Sequence, residues 1–180
     1  MPDQHHEEVL ASEVLFQGKL LTLCRSTIRL ANGHVATRET VQHPGAVAMV
    51  PVADDGDILL VRQWRTAAGR PLLEIPAGTL APGEETHACA ARELMEEVGY
   101  RPGRLTALTT CYLAPGYSTE VLHLFLAEDL TPARLPHDED EQIEIVSASW
   151  EAIDAAMRDG EIADAKTLAG LLLARRLLGR

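Results

Sequence analysis

Apolar and polar side chains alternate through residues 14–42, in VLFQGKLLTLCRSTIRL and then HVATRETV, with Ala31-Asn32-Gly33 between them. Alternation with period two places one face of a strand in a core and the other in water, and Asn-Gly supplies the positive φ angles of a tight hairpin. This stretch predicts a small antiparallel sheet. After the His43-Pro44-Gly45 break, AVAMVPV and DILLVRQW predict two further strands joined as a hairpin by Asp54-Asp55-Gly56-Asp57. LLEIPAG reads as a short strand.

The period then changes. Within residues 78–100, Ala88, Ala91, Leu94, Met95 and Val98 recur at helical spacing with glutamates opposite them, and Gly99 can end the helix in left-handed geometry. Two more strands, LTALTTCYL and VLHLFLAEDL, flank the loop at 114–120, and IEIVSASW follows an acidic run at 137–141. WEAIDAAMRDG and DAKTLAGLLLARRLLG close the chain as helices whose apolar faces need a sheet to cover. Hairpin-rich strands with about three helices predict an α+β protein, a mixed sheet between helical layers, rather than a doubly wound parallel sheet.

Composition narrows the picture only in places. A length of 180 residues fits one domain or one with a small appendage. A formal net charge of −11 argues against nucleic acid, whose capture depends on Lys and Arg neutralising phosphates. Three cysteines with no CxxC pair suggest reduced thiols and a cytoplasmic protein. Neither a signal pattern in MPDQHHEEVL nor an 18-residue apolar run points to secretion or a membrane.

The chemistry concentrates in the acidic helix. Glu93, Glu96 and Glu97 share one turn, and carboxylates so close disfavour each other's ionisation unless a cation sits among them. Oxygen-only donors favour Mg²⁺, with Mn²⁺ as the other option, over zinc. Glu93 and Glu97, at i and i+4, project together and are first-choice metal ligands, with Glu96 beside them. Arg92 is placed to orient these carboxylates by charge-assisted hydrogen bonds. Glu84, just before the helix, has two readings: an aid to metal binding, or an anion at the positive helix N-terminus.

Gly78, Glu84, Arg92, Glu93, Leu94, Glu96, Glu97 and Gly99 stand as G-x5-E-x7-R-E-L-x-E-E-x-G. In this pattern the chain resembles the Nudix hydrolases, with Tyr100 standing where an aliphatic residue is usual. The resemblance implies an α/β/α sandwich of the Nudix fold and hydrolysis of a nucleoside diphosphate linked to another moiety. It also implies that the Ala77 carbonyl serves as an oxygen ligand.

Pro115, fifteen positions after Tyr100 within PGYSTE, and the segments RETVQHPGAV, VRQWR, LLEIPAG and DAKTL resemble the ADP-ribose pyrophosphatase subfamily. That likeness implies cleavage of ADP-ribose to AMP and ribose 5-phosphate. It implies a homodimer in which residues 1–42 form a swapped antiparallel sheet beside a catalytic domain at 43–180. Arg65 and Arg38 are then expected to hold phosphate or ribose, Arg38 across the dimer, with Pro115 and Gly116 lining the substrate loop.

Adenine contacts fall to Trp64 or to backbone, since residues 14–42 offer only Phe16 as an aromatic. Glu139 is expected as the general base and Glu141 as an added metal ligand, with the two roles interchangeable. Two other readings stay open: hydrolysis of a different nucleotide sugar or dinucleotide, and a nucleotide-sensing module that binds without turnover.

Overall fold

The computed structural model describes residues 5–136 and 142–180. Ten strands and three helices follow in the order β1 (Glu7–Gln17), β2 (Thr22–Leu30), β3 (Val35–Gln42), β4 (Ala46–Pro51), β5 (Ile58–Arg65), β6 (Arg70–Glu74), β7 (Ala77–Thr79), α1 (Thr86–Glu97), β8 (Tyr100–Tyr112), β9 (Val121–Pro132), β10 (Glu144–Ala148), α2 (Trp150–Arg158) and α3 (Ala165–Leu177). They form two compact units, Met1–Gly45 with Tyr112–Val121, and Ala46–Cys111 with Leu122–Arg180.

The first unit holds the antiparallel sheet β1-β2-β3. Gly33 takes φ +86° in the β2–β3 turn, the geometry an Asn-Gly hairpin needs. The run at 14–30, read from sequence as one stretch, folds back on itself. Gly18 N donates to Leu21 O at 2.9 Å, and the first strand begins at Glu7. Polar residues at the start of that strand conceal its alternation. The loop at 113–120 belongs to this unit and docks on the end of β3: Val41 N donates to Tyr117 O at 2.7 Å and Thr119 N to Val41 O at 3.0 Å.

The second unit contains the sheets β7-β4-β9-β8 and β10-β5-β6. β4 runs parallel to β9 and antiparallel to β7, so the sheet is mixed. All six residues of β4 are buried because both its faces are covered. Val47 and Met49 join Phe125 and Ala127 in a core with Cys89, Ala90, Leu94 and Val98 of α1. On the other face a Cβ at Gly170 of α3 would come within 3.3 Å of Val50 and Leu124. Helix, sheet and helix therefore stack as an α/β/α arrangement.

Three expectations shift. The turn at Asp54–Asp57 forms, with Gly56 at φ +88°, but β4 and β5 enter different sheets and share only the Val52–Ile58 bridge. LLEIPAG divides into the end of β6 and the start of β7, also in different sheets. In α1, Ala88 is exposed and Cys89 takes its place in the core. This rotation brings Glu97 inward, to 6% exposure. Gly99 does end the helix at φ +77°.

Candidate active site

The site in the second unit is built from the junction of β7 and α1. A short strand, a turn and a helix hold five charged side chains within one stretch of chain. Arg92 occupies the middle. Its Nε and Nη2 donate to Glu84 Oε1 and Oε2 at 2.9 and 3.0 Å, and its Nη1 donates to Glu93 Oε1 at 2.7 Å and Glu96 Oε2 at 2.8 Å. One planar fork therefore spaces three carboxylates, which a lysine's single ammonium could not do with the same geometry.

Glu97 lies apart from that fork. Its Oε2 accepts a hydrogen bond from Ala77 N at 3.1 Å, tying the helix to β7. Gly78 follows immediately, and a Cβ there would lie 1.8 Å from Glu93 Cδ. The absence of a side chain at 78 is what lets the Glu93 carboxylate rest against the strand. Ala77, Gly78, Glu93 and Glu97 are thereby brought together, with Glu96 joined through Arg92.

The hydrogen bonds from Arg92 and from Ala81 N drive the Glu84 carboxyl down to about 2, from an ordinary 4.5. Arg92 is raised above its ordinary value, chiefly by Glu84 against the cost of burial. Cys89, whose thiol lies 3.3 Å from Arg92 Nη2, is pushed up to about 12 by burial. It is packing material with no thiolate to offer.

Three carboxylates, Glu84, Glu93 and Glu96, thus share a single guanidinium, and Glu97, tied to Ala77, adds a fourth to the stretch. Their excess negative charge and all-oxygen chemistry suit a hard divalent cation. Among the described residues no three acidic, His or Cys side chains already encircle one point. Glu93 and Glu96 are held by Arg92 and Glu97 by Ala77, so the carboxylates form a row along the helix.

Arg65, expected as a substrate contact, lies at the end of β5 and donates Nε and Nη2 to the two oxygens of Glu74, both at 2.7 Å. Glu74 is 1% exposed and also binds Lys166 Nζ. Burial alone would raise the Glu74 carboxyl, but Arg65 and Lys166 outweigh it and hold it below the usual range. Arg65 is raised by its bond to Glu74 against burial, with smaller help from Glu97 and Asp164. Its neighbour Trp64 points to solvent, 62% exposed.

The first unit carries the other expected contacts. Arg38 on β3 bonds to Glu7 Oε1 at 2.5 Å and Thr37 O at 3.1 Å. With Pro115 and Gly116 it lines a cavity of about 720 Å³, which also contains Tyr112 and Tyr117. Those two exposed tyrosines were missed by a search for aromatics confined to residues 14–42; the visible signal was their position on either side of Pro115. Glu74 and Lys166 were missed as individuals because an ion pair 92 residues apart leaves no local pattern. Glu139 and Glu141 lie outside the described residues.

Comparison with known proteins matches the NUDIX domain over residues 42–171. The chain is 42% identical to the ADP-ribose pyrophosphatase of Bacillus subtilis (strain 168) over 89% of its own length and 88% of the relative's. It is 38% identical to the ADP-ribose pyrophosphatase of Mycobacterium tuberculosis over 94% of this chain and 83% of that one. The crystal structure of an ADP compounds hydrolase superposes with a TM-score of 0.88 at 27% identity, covering 99% of this chain and 97% of that chain. An acidic helix ordered by its own arginine, set in an α/β/α frame that matches along nearly the whole chain, places this protein in the Nudix hydrolase family.

Proposed function

We propose that this Nudix hydrolase cleaves the pyrophosphate of ADP-ribose, giving AMP and ribose 5-phosphate. The observation that carries the reaction type is the set of Glu84, Glu93 and Glu96 gathered round Arg92, with Glu93 against Gly78 and Glu97 tied to Ala77. The substrate rests on the likeness to ADP-ribose pyrophosphatases, which extends through both units.

Nudix hydrolases generally depend on a divalent metal, and Mg²⁺ is the ion proposed, with Mn²⁺ as an alternative. The residues that would hold it are Glu93, Glu96, Glu97 and the Ala77 carbonyl, joined by Glu141. When bound, the cation supplies Lewis acidity, polarising phosphoryl oxygens and making water more acidic.

The protein's own groups do the rest. Arg92 keeps Glu93 and Glu96 from swinging into solvent, and the Ala77 amide does the same for Glu97. Glu139 takes the proton from the attacking water, a role it can exchange with Glu141. As the new P–O bond forms and the P–O–P bridge breaks, charge moves to the leaving phosphate. Arg65 and Arg38 are assigned to the anionic and ribose parts of the substrate, and Pro115, Gly116 and Trp64 to the remainder, with Tyr112 and Tyr117 available for stacking against a base.

Two further assignments belong to this reading. β1 is an edge strand exposed on both faces yet carries Val9, Leu10, Val14, Leu15 and Phe16, and a second copy of this chain is its proposed cover, making a homodimer with exchanged N-terminal strands. Cys24, Cys89 and Cys111 are unpaired thiols, in keeping with a cytoplasmic enzyme.

The test is product analysis with Mg²⁺ over ADP-ribose, GDP-mannose, NADH, FAD and diadenosine polyphosphates. ADP-ribose is expected among the highest kcat/KM values. A different preferred nucleotide overturns the substrate, and binding without consumption of any of them overturns the reaction.

A further inference from the structure

Glu74 sits at the end of β6 with 1% of its side chain exposed, a position where a lone carboxylate is strongly disfavoured. It is not alone. Arg65 grips both its oxygens at 2.7 Å, and Lys166 Nζ binds the same Oε2 that receives Arg65 Nη2. Lys166 also donates to Asp164 Oδ1 at 2.9 Å, and that oxygen accepts from Thr167 N at 3.0 Å as the N-cap of α3. The strand is tied to the same helix a second time, by Ile75 N donating to Thr167 Oγ1 at 3.0 Å.

Cation and anion therefore alternate in one row, Arg65, Glu74, Lys166, Asp164, anchored on the first turn of α3. Side-chain exposure along it runs 39%, 1%, 14% and 18%, so the row opens at Arg65. Glu74 occupies the Nε–Nη2 edge of the guanidinium, and among the described residues Nη1 makes no hydrogen bond. Glu97 acts electrostatically on Arg65, so the guanidinium lies within charge range of the acidic helix.

We infer that Glu74 and Lys166 are positioning residues for Arg65, fixing one edge of its guanidinium so that the other meets the phosphate or ribose oxygens of the substrate. This rests on the reading of Arg65 as a substrate contact. A free arginine loses rotamer freedom when it engages an anion; one held by a fixed carboxylate has lost it already, on folding. Lys166 matters because it stops the Glu74 carboxylate from turning with the arginine. Such an interaction is made equally with bound substrate and transition state, so its loss appears in KM.

The experiment compares Lys166→Met, Arg65→Ala and the double variant with the unmodified enzyme, using whichever panel nucleotide is turned over best, with Tm recorded for each. Lys166→Met is expected to raise KM about tenfold with kcat changed less than about twofold, the signature of lost uniform binding. In the Arg65→Ala background the same substitution is expected to change KM no further. Asp164→Asn keeps the shape and a cap acceptor, and serves if Lys166→Met lowers Tm severely; a KM rise of about threefold, vanishing without Arg65, is expected.

An unchanged KM in both variants, or KM effects that simply add, overturns the inference. So does an Arg65→Ala enzyme with normal KM. A wrong substrate assignment shows separately, as a poor kcat/KM for ADP-ribose in the unmodified enzyme.

Discussion

An ideal Cβ on Gly78 would lie 1.8 Å from Glu93 Cδ, so any side chain there forces the carboxylate off the strand. Gly78→Ala is expected to lower kcat/KM by about 100-fold, the cost of misplacing a reacting group by roughly an ångström, while far-UV circular dichroism stays unchanged. Wild-type turnover would remove Glu93 from the mechanism. Glu97→Gln keeps the bond from Ala77 N but loses a charge. Turnover is expected to fall at least about 100-fold, the upper end for loss of a mere supporting partner, with Tm little altered.

Glu84 gives a prediction in pH. Its carboxyl lies near 2 when folded and near 4.5 when unfolded, so the unfolded chain binds the proton more tightly. Its stabilisation is complete above pH 4.5 and disappears as pH falls through about 2. The stability gap between wild type and Glu84→Gln, read from urea midpoints, is expected to close over that window. A gap constant with pH would mean that Glu84 is not held by Arg92. Glu84, Arg92, Glu93, Glu96 and Glu97 were visible from the amino acids alone because fourteen positions contain them all. The grip of Arg92 on Glu84 was not, since Glu84 precedes the helix and its direction depends on the turn.

At the level of elements, a hydroxyl fastens α3 to the crossover from β6 to β7, beside the Lys166–Glu74 pair. Thr167 is fully buried, and its Oγ1 accepts from the equally buried Ile75 N. Thr167→Val preserves shape and strands that amide, which is expected to cost about 1–3 kcal/mol in equilibrium unfolding. A change within error would mean that water replaces the bond. Strand alternation and the helical period made most elements legible, and Gly33, Gly56 and Gly99 marked their ends. What stayed hidden was the assignment of strands to sheets. LLEIPAG is one apolar run, yet Ile75 and Pro76 carry it from one sheet to another, and nothing in a local pattern distinguishes a strand from a bridge between two. The one-position rotation of α1 was hidden for a similar reason: alanine and cysteine are nearly interchangeable as small core residues.

For the whole molecule, the exposed apolar strand β1 is the proposed dimer contact. Val14 and Phe16, 60% and 58% exposed, would lie in the proposed dimer interface, so Val14→Asp with Phe16→Asp is expected to convert a dimer to a monomer in sedimentation velocity. A monomeric wild type would reject the exchanged sheet. Cys89, meanwhile, gives the fold a reporter of its own opening. Fully buried and with its thiol pushed up to about 12, it resists alkylation while α1 is packed on the sheet and becomes an ordinary reactive thiol once the helix lifts. The rate at which iodoacetamide modifies this one residue therefore measures how often α1 leaves its seat, through a thiol the chain already carries.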